Sequence, residues 1–293
     1  MLTASPANSE WAVYPQHQIQ PLDNVHQAEV LRFLAARPLH TFIKTSWIRD
    51  NGLVSSFNRG TFYGYRDKNG RLEGVALIGH ITLFEARADS ALAAFAKLTQ
   101  GCANTHAVLS EKSKINRFIT YYERGGKPSR LVCRELLLEK RTVENLENVP
   151  SLRQARAEEL EMVVPVHAQT AYEESGVNPL EVDPAGFRER CARRINQGRV
   201  WVAIEEGKLK FKADIVSDTP SVVYLEGVFV SAEHRGNGYG ARCMTQLTNK
   251  LLTDSKSVCL LVNEQNSAAQ ASYRKAGFQF REYYDTLYLQ PQQ

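Results

Sequence analysis

Apolar residues recur along the first 140 positions with two spacings, one typical of helices and one typical of strands. Apolar positions at helical spacing after Asn24 predict a helix over residues 25–36, capped by Asn24. Two apolar runs, residues 60–66 and 72–84, flank an Asn-Gly turn and predict a β-hairpin. The other elements predicted here are helices over 41–48, 91–98 and 115–122 and strands over 106–109 and 131–138.

The second part of the chain repeats this order of predicted elements. A polar segment that ends in a proline, residues 141–150, is predicted to be a linker. Helices are predicted over 160–172 and 185–197, a hairpin over 200–204 and 209–215, strands over 222–230 and 258–262, and a last paired region over 278–289. Because the element order repeats and the sequence does not, we predict an α/β chain with tandem domains at 22–140 and 151–293, after a loosely ordered lead-in at 1–21.

The most informative pattern lies where the strand 222–230 meets the helix that follows it. Arg235, Gly238 and Gly240 form Arg-x-x-Gly-x-Gly, and apolar residues at helical spacing come next. Glycines let the backbone approach a ligand closely, and the first amides of a helix have no partner within the helix. This order of strand, glycine-rich turn and helix favours an anion such as a pyrophosphate.

A second pattern occupies residues 258–278. After a short strand, Asn266 can cap a helix that has Tyr273 in its last turn and Gly277 as its stop signal. The segment reads Asn-x-x-Ala-x-x-x-Tyr-x-x-x-Gly-Phe, and the first pattern extends back to Val230 as Val-x-x-x-x-Arg-x-x-Gly-x-Gly. The two patterns together are far more specific than either one alone.

In combination, these patterns resemble the GNAT superfamily of acyl-CoA-dependent N-acetyltransferases. The resemblance implies that each domain contains a twisted, mixed and mostly antiparallel sheet flanked by helices, and that the C-terminal domain binds acetyl-CoA. The N-terminal domain has no Arg-x-x-Gly-x-Gly, and no glycine lies between Phe84 and Gly101. The whole chain therefore resembles tandem GNAT proteins whose N-terminal repeat is degenerate.

The resemblance also implies roles for individual residues. The strand residues Val228, Phe229 and Val230 would bind the pantetheine arm of CoA, and Tyr273 would be the general acid for the CoA sulfur. The other acetyl-CoA contacts that it implies are Arg235, Gly236, Asn237, Gly238, Tyr239, Gly240, Ala241, Asn263, Asn266 and Ala269. A phenol can protonate a thiolate when the site holds it close, although an aromatic at the rim of a cleft is the alternative interpretation of Tyr273.

Glu226 is the candidate general base, because an amine must lose a proton before it attacks a thioester. Strand alternation predicts that Glu226 shares a face with Val228 and Val230. Many GNAT enzymes carry a glutamate two residues earlier, where this chain has Tyr224, so a water chain is the alternative base. Gly227 interrupts the strand and indicates either a bulge or close packing.

The acceptor is predicted only as a class. Glu173 and Glu174 lie between the first two helices of the C-terminal domain and suit a cationic amine, although a solvated helix end gives the same pattern. The predicted function is direct transfer of acetyl from acetyl-CoA to a primary amine, with the N-terminal domain shaping the acceptor cleft. The alternatives are a non-catalytic sensor that binds acyl-CoA and the transfer of a longer acyl or aminoacyl group. Tyr273 and Glu226 favour the enzyme, since a sensor needs no acid.

Composition narrows the class of protein further. The 293 residues are 43% hydrophobic and carry a net charge of +4. No apolar run approaches the roughly 20 residues of a membrane span, and residues 1–20 lack a secretory signal. We therefore expect the protein in the cytoplasm and expect no membrane partner. The charge forms no concentrated basic stripe, which argues against a nucleic-acid partner. The 5 cysteines lack paired close spacing, so we expect neither a disulfide framework nor a metal site.

Overall fold

The computed structural model describes residues 18–145, here called the N-terminal half, and residues 147–290, the C-terminal half. The N-terminal half contains, in chain order, β1 (Ile19–Pro21), α1 (Gln27–Leu34), α2 (Pro38–Asn51), β2 (Gly60–Arg66), β3 (Leu72–Gly79), β4 (Ile81–Ala86), α3 (Asp89–Gln100), β5 (Ala107–Glu111), α4 (Lys112–Tyr122) and β6 (Ser129–Lys140).

The C-terminal half has nearly the same order with one short helix more. It contains β7 (Leu152–Gln154), α5 (Leu160–Ser175), α6 (Pro179–Val182), α7 (Pro184–Asn196), β8 (Val200–Glu205), β9 (Lys208–Asp218), β10 (Val223–Val230), α8 (Tyr239–Leu251), β11 (Val258–Asn263), α9 (Ser267–Lys275) and β12 (Gln279–Leu289). The described residues between β6 and β7 form neither a strand nor a helix.

The strands of both halves form one continuous sheet. Within the described residues its order is β1-β2-β3-β4-β5-β12-β6-β11-β10-β9-β8-β7. The pairs β4–β5 and β10–β11 are parallel, and the other pairs are antiparallel. The predicted class, a mixed and mostly antiparallel sheet flanked by helices, is confirmed.

The last strand of each half lies within the other half. β12 pairs with β5 and β6, while β6 pairs with β12 and β11. The side chains follow the strands: Leu136 and Leu138 of β6 join the apolar cluster beneath α8, and Leu287 and Leu289 of β12 join that beneath α3. The sequence indicated no such exchange. The division into domains at 22–140 and 151–293 stays a prediction, because sheet hydrogen bonds cross it.

Local structure near the N-terminus differs from the predictions at two points. The prediction that Asn24 caps the first helix is wrong, because Asp23 accepts the hydrogen bond from the Val25 amide. Asn24 instead accepts one from the Leu53 amide, at 2.8 Å. The lead-in also becomes ordered earlier than predicted, since residues 19–21 form β1, while residues 1–17 lie outside the described residues.

The sheet separates two layers of helices. Because alternate residues of a strand face opposite sides, Leu225 of β10 packs with Leu247 of α8, whereas Tyr224 packs with Phe42 of α2. Helices α5 and α7 lie on the Tyr224 side, where Val163 of α5 is fully buried. No helix in the described ranges is both long enough and apolar enough to cross a membrane.

Candidate active site

β10 and β11 separate near the middle of the sheet. Their parallel pairing runs from Val223 with Val258 to Leu225 with Leu260 and stops there, although β10 continues to Val230. The backbone groups of residues 226–230 that face β11 therefore have no partner strand. We call this opening the β10–β11 gap. An unpaired strand edge offers hydrogen bonds to an extended ligand.

A β-bulge lies at the start of the gap. Glu226 pairs with Asp214 and Phe229 pairs with Lys212, so β10 has one residue more than β9 over this stretch. Gly227 has a φ of +58°, in the left-handed region that favours glycine. A Cβ atom at Gly227 would also lie 2.9 Å from Lys212 Nζ. Of the two interpretations of Gly227, the bulge is therefore observed, and the packing around it is close as well.

The bulge changes the face on which the following side chains lie. Val228 and Val230 pack against the apolar cluster beneath α8. Glu226 is on the opposite side of the sheet, near the side chain of Tyr224. The prediction that Glu226 shares a face with Val228 and Val230 is wrong, because the extra residue interrupts the strand alternation.

The glycine-rich turn presents the start of α8 to the gap. The N-cap residue is Gly238, at a φ of +81°, and the first turn of α8 has no acidic residue. A Cβ at Gly236 would meet no atom within 4 Å, so this side of the turn is open. At Gly240 a Cβ would lie 2.9 Å from Val230 Cγ2, so glycine there allows the helix to pack on β10. The open amides and the helix dipole together favour an anion.

Two cations that the sequence patterns did not indicate lie beside this turn. A Cβ at Gly238 would lie 3.1 Å from Lys275 Nζ and 3.9 Å from Arg242 Nη1. Arg242 also donates to the Asn237 carbonyl at 3.4 Å. Lys275 lies on α9, so only the folded chain brings it to the turn. These charges add to the attraction of the helix terminus for an anion.

Other predicted residues hold the turn in place. Arg235 Nε donates to the Val230 carbonyl at 2.9 Å, and the Tyr239 amide donates to Asn237 Oδ1 at 3.1 Å. The buried Tyr239 ring directs its hydroxyl to Glu205, at 3.2 Å. These side chains stabilise the conformation of the turn, while the backbone remains available for a ligand.

Tyr273 projects from α9 into the protein. Asn266 caps this helix, as predicted, by accepting from the Ala269 amide at 3.0 Å. Tyr273 is 8% exposed. Burial, together with the charge of Glu174, raises the pKa of Tyr273. The hydroxyl therefore keeps its proton at neutral pH.

Three glutamates from three elements lie around the gap: Glu226 of β10, Glu174 of α5 and Glu135 of β6. We call them the carboxylate cluster. Desolvation raises the pKa of Glu226, and it raises that of Glu174 to about 8 with the help of the charges of Glu226 and Glu135. Desolvation also raises the pKa of Glu135 to about 7, despite a hydrogen bond from Thr286 at 2.9 Å. By accessible surface, however, Glu174 and Glu226 are exposed, and only Glu135 is partly buried.

The comparisons with known proteins agree with this geometry. Residues 196–280 match the family model described as an acetyltransferase (GNAT) domain. These residues include the β10–β11 gap, the glycine-rich turn and Tyr273. The chain carries a GNAT domain. No curated protein matches the sequence.

Solved structures resemble the whole chain, beyond the GNAT domain. An X-ray structure of a Drosophila protein is 15% identical with a TM-score of 0.64, covering 94% of this chain and 99% of its own. A GNAT-family acetyltransferase from Colwellia psychrerythraea is 14% identical with a TM-score of 0.56, covering 93% and 99%. A tandem GNAT protein from the clavulanic acid biosynthesis pathway is 14% identical with a TM-score of 0.55, covering 94% and 99%. The fold is that of tandem GNAT proteins, and it supports acyl transfer in general.

Of the two adjacent glutamates predicted to contact the acceptor, only Glu174 belongs to the carboxylate cluster, and both precede the residues that match the family model. Glu173 is exposed and accepts a hydrogen bond from Gln169 Nε2 at 2.9 Å. Glu174 is exposed as well, but successive residues of a helix point about 100° apart, and Glu174 is the one that the charges of Glu226 and Glu135 affect.

A group of paired charges lies next to Glu226. Asp214 accepts a hydrogen bond from Lys212 at 2.7 Å and lies 3.6 Å from Arg194. His167 Nδ1 is 3.2 Å from the same carboxylate, but burial and the charge of Lys212 lower the pKa of His167 to about 3, so it stays neutral at neutral pH. The group therefore has two cations and one anion beside Glu226.

Glu135 is a further site residue that the sequence analysis missed. It lies directly opposite Asn263 of β11, one of the predicted acetyl-CoA contacts. Asn263 Nδ2 in turn lies 3.2 Å from Cys133 Sγ. Burial and the charge of Glu135 raise the pKa of Cys133 to about 11, so this thiol is not a thiolate nucleophile at neutral pH. No sequence pattern indicated Glu135, because it belongs to the N-terminal half.

The described residues contain no group of three histidine, cysteine, aspartate or glutamate side chains that is placed to hold a metal ion.

Proposed function

We propose that the protein is an acetyl-CoA-dependent N-acetyltransferase that acts directly on a primary amine. The observation that carries the proposal is the separation of β10 from β11 beside the glycine-rich turn at the start of α8. Tyr273 is buried and lies within electrostatic reach of Glu174. An acid and carboxylates around one opening in the sheet are the groups that acetyl transfer to an amine needs.

Acetyl-CoA supplies the thioester, and the chain has groups suited to each part of it. The glycine-rich turn, Lys275 and Arg242 fit the pyrophosphate, because they combine backbone amides with positive charge. The unpaired edge of β10 at residues 228–230 fits the pantetheine arm, which would take the place of a neighbouring strand. The remaining residues predicted to contact acetyl-CoA are Asn263, Asn266 and Ala269.

Two side chains then move protons. Glu226 accepts a proton from the acceptor amine, and its raised pKa makes it a stronger base than an ordinary carboxylate. The amine nitrogen bonds to the thioester carbon, the carbon–sulfur bond breaks, and Tyr273 donates its hydroxyl proton to the departing sulfur. The raised pKa of Tyr273 keeps that proton in place until the sulfur carries negative charge.

Replacement of Tyr273 tests the proposal. We expect Tyr273→Phe to lower the rate of CoA release from acetyl-CoA over a panel of primary amines by about 100-fold or more, since it removes a general acid. Calorimetric affinity for acetyl-CoA should stay within about threefold, because the turn is unchanged. Tyr122→Phe is the matched control, as Tyr122 is 3% exposed and lies in the N-terminal half.

The outcomes separate the two functional classes. Tight acetyl-CoA binding without CoA release on any amine would contradict the enzyme and favour a sensor. An unchanged rate in Tyr273→Phe would remove the acid from the mechanism.

A further inference from the structure

A buried lysine of β9 lies against the bulge at which the β10–β11 gap begins. The Lys212 side chain is fully buried, and its Nζ donates to the Gly227 carbonyl at 3.2 Å. We propose that Lys212 is a positioning residue of acetyl transfer, which holds the peptide between Gly227 and Val228 so that the Val228 amide points into the gap. The inference rests on the proposed function, since the thioester must lie in the same gap.

The bulge explains why a side chain serves the Gly227 carbonyl. β10 has two residues, Gly227 and Val228, where β9 has only Ala213. Two residues that face one cannot both keep the regular hydrogen bonds of the sheet. Lys212 supplies a donor at this irregular point. Its approach requires glycine, because a Cβ atom at Gly227 would lie 2.9 Å from Lys212 Nζ.

The contact with Lys212 determines the direction of the Val228 amide. The described residues contain no cis peptide bond, and a trans peptide places its carbonyl and its N–H on opposite sides. Lys212 belongs to β9, whereas the gap lies along the other edge of β10. With the Gly227 carbonyl held towards Lys212, the Val228 N–H points away from β9 and towards the gap.

A charged donor also changes the strength of this amide. Hydrogen bonds from an ammonium are stronger than neutral ones, and a hydrogen bond to a carbonyl polarises the peptide that contains it. The Val228 N–H thereby becomes a better donor to the thioester oxygen, on which negative charge grows as the amine attacks. Lys212 therefore affects the reaction through the peptide, without touching the substrate.

Three side chains fix the position of the Lys212 ammonium. Asp214 Oδ2 accepts from Lys212 Nζ at 2.7 Å, and both side chains are 0% exposed. The same carboxylate oxygen lies 3.2 Å from His167 Nδ1 of α5 and 3.6 Å from Arg194 Nη1 of α7. The ion pair thus connects the bulge to helices α5 and α7, which leaves the ammonium little freedom to move.

The ion pair between Lys212 and Asp214 contributes little to stability by itself. Burial of two charges costs desolvation free energy, so such a pair stabilises a fold no better than apolar residues of similar size. Asp214 Oδ1 is also buried, and it has no hydrogen-bond partner within the described residues. A buried polar atom without a partner is rare in folded proteins, and a functional requirement for the pair accounts for it.

The corresponding strands of the N-terminal half lack this arrangement. β3 and β4 pair in a regular register without a bulge. Val75 faces Glu85 there, and its side chain has no hydrogen-bond donor. Of the two openings, the one beside the glycine-rich turn is therefore the one with a lysine at a bulge.

The test follows the carbonyl of acetyl-CoA bound to the full chain, without an acceptor. Acetyl-CoA labelled with carbon-13 at the thioester carbonyl gives an identifiable band in difference infrared spectra. Binding to the wild type should lower the frequency of this band, because the hydrogen bond polarises the carbonyl. Lys212→Met should remove about half of that shift or more, while calorimetric affinity for acetyl-CoA stays within about threefold.

Turnover of a primary amine gives a second measurement. In Lys212→Met, kcat should fall by about tenfold or more, and KM for the amine should change by less than about threefold. Lys140→Met is the matched control, because Lys140 is 1% exposed and donates to Thr248 Oγ1 at 3.0 Å, at the end of β11 opposite the gap. This control should keep both the infrared shift and kcat.

A double variant separates the role of Lys212 from a loss of folding. Lys212→Met leaves Asp214 buried without its lysine, so Lys212→Met combined with Asp214→Asn is measured beside it and should show the same two losses. An unchanged infrared shift and an unchanged kcat in the variants would overturn the positioning role while the acetyltransferase stands. A loss of acetyl-CoA affinity as large as the loss of kcat would overturn it too, since Lys212 would then be only structural. An absence of acetyl-CoA binding to the wild type would overturn the inference and the proposed function together.

Discussion

In each half of the molecule, two parallel strands separate just after a pair of leucines. The pair is Leu83 with Leu109 in β4–β5 and Leu225 with Leu260 in β10–β11. Two residues further along, β4 has Glu85, whereas β10 has Gly227 with its bulge. The opening in the N-terminal half thus begins with a charged side chain, whereas the matching opening in the C-terminal half begins with a glycine.

The N-terminal opening is closed by ion pairs. Arg37 lies 3.0 Å from Glu85 and also pairs with Glu111, while Lys114 lies 2.6 Å from Glu85 and 2.9 Å from Glu111. His40 adds a contact to Glu111 at 3.4 Å. Because both glutamate side chains are only 6% exposed, this opening is part of the protein interior.

The helices that follow β4 and β10 also differ in the charge at their first residues. α3 begins at Asp89, shortly after β4 ends at Ala86, and the Asp89 carboxylate pairs with Arg117. α8 begins after the glycine-rich turn with no acidic residue in its first turn. Strand separation alone does not make a binding site. The glycines and the absence of a negative charge at the helix start make the C-terminal opening suitable for an anion.

The largest effect that we expect from this comparison is the loss of stability in Glu111→Gln. Burial alone would raise the pKa of Glu111, but Arg37 and Lys114 outweigh it and hold the pKa at about 2, below the usual 4.5. The ionised carboxylate therefore stabilises the fold by about 3 kcal/mol at neutral pH. Urea unfolding at pH 7 should show that loss, with acetyl-CoA affinity of the folded protein unchanged.

The pH dependence of this effect has a definite sign. Since the folded pKa is depressed, the stabilisation is complete above the ordinary pKa of 4.5 and disappears as the pH falls towards 2. The difference between wild type and Glu111→Gln should accordingly shrink by more than half at about pH 3. A difference that is independent of pH would show that the ion pairs do not hold the N-terminal opening closed.

A smaller effect is expected at the other opening from Gly227→Ala. Gly207 provides the control, since its φ of +71° is similar but a Cβ there meets no atom within 4 Å. Both variants lose about 1 kcal/mol from the left-handed backbone. At Gly227 the Cβ would also lie 3.1 Å from Asp214 Oδ2, so thermal unfolding should show a further loss of about 1 kcal/mol. Equal losses would mean that the bulge tolerates a side chain.

Much of the part of the site that would bind acetyl-CoA was predictable, because the sequence patterns that indicate it are local. The glycine-rich turn and the Asn266 cap are each fixed by residues close together in sequence, and both occur as predicted. The acceptor side was less predictable. Glu135 reaches the gap only because β6 pairs with β11, and such pairing between distant segments has no local signature.

The error over Glu226 has a related cause. Alternation along a strand is a reliable guide only while the register is regular, and one extra residue at Gly227 moves Val228 and Val230 to the other face. In the N-terminal half, the absence of the glycine motif correctly indicated a degenerate repeat. The ion pairs that close its opening involve Arg37, which lies far from Glu85 in sequence, so no pattern predicted them.

The central claim is that only the C-terminal opening accepts acetyl-CoA, and calorimetric titration of acetyl-CoA into the full chain tests it most directly. We predict one site per chain, with affinity that falls by about 100-fold or more in Gly238→Glu, because an anion then occupies the start of α8. Gly207→Glu has the same kind of backbone strain away from the turn and should bind normally. Two sites per chain, or binding that survives Gly238→Glu, would contradict the account.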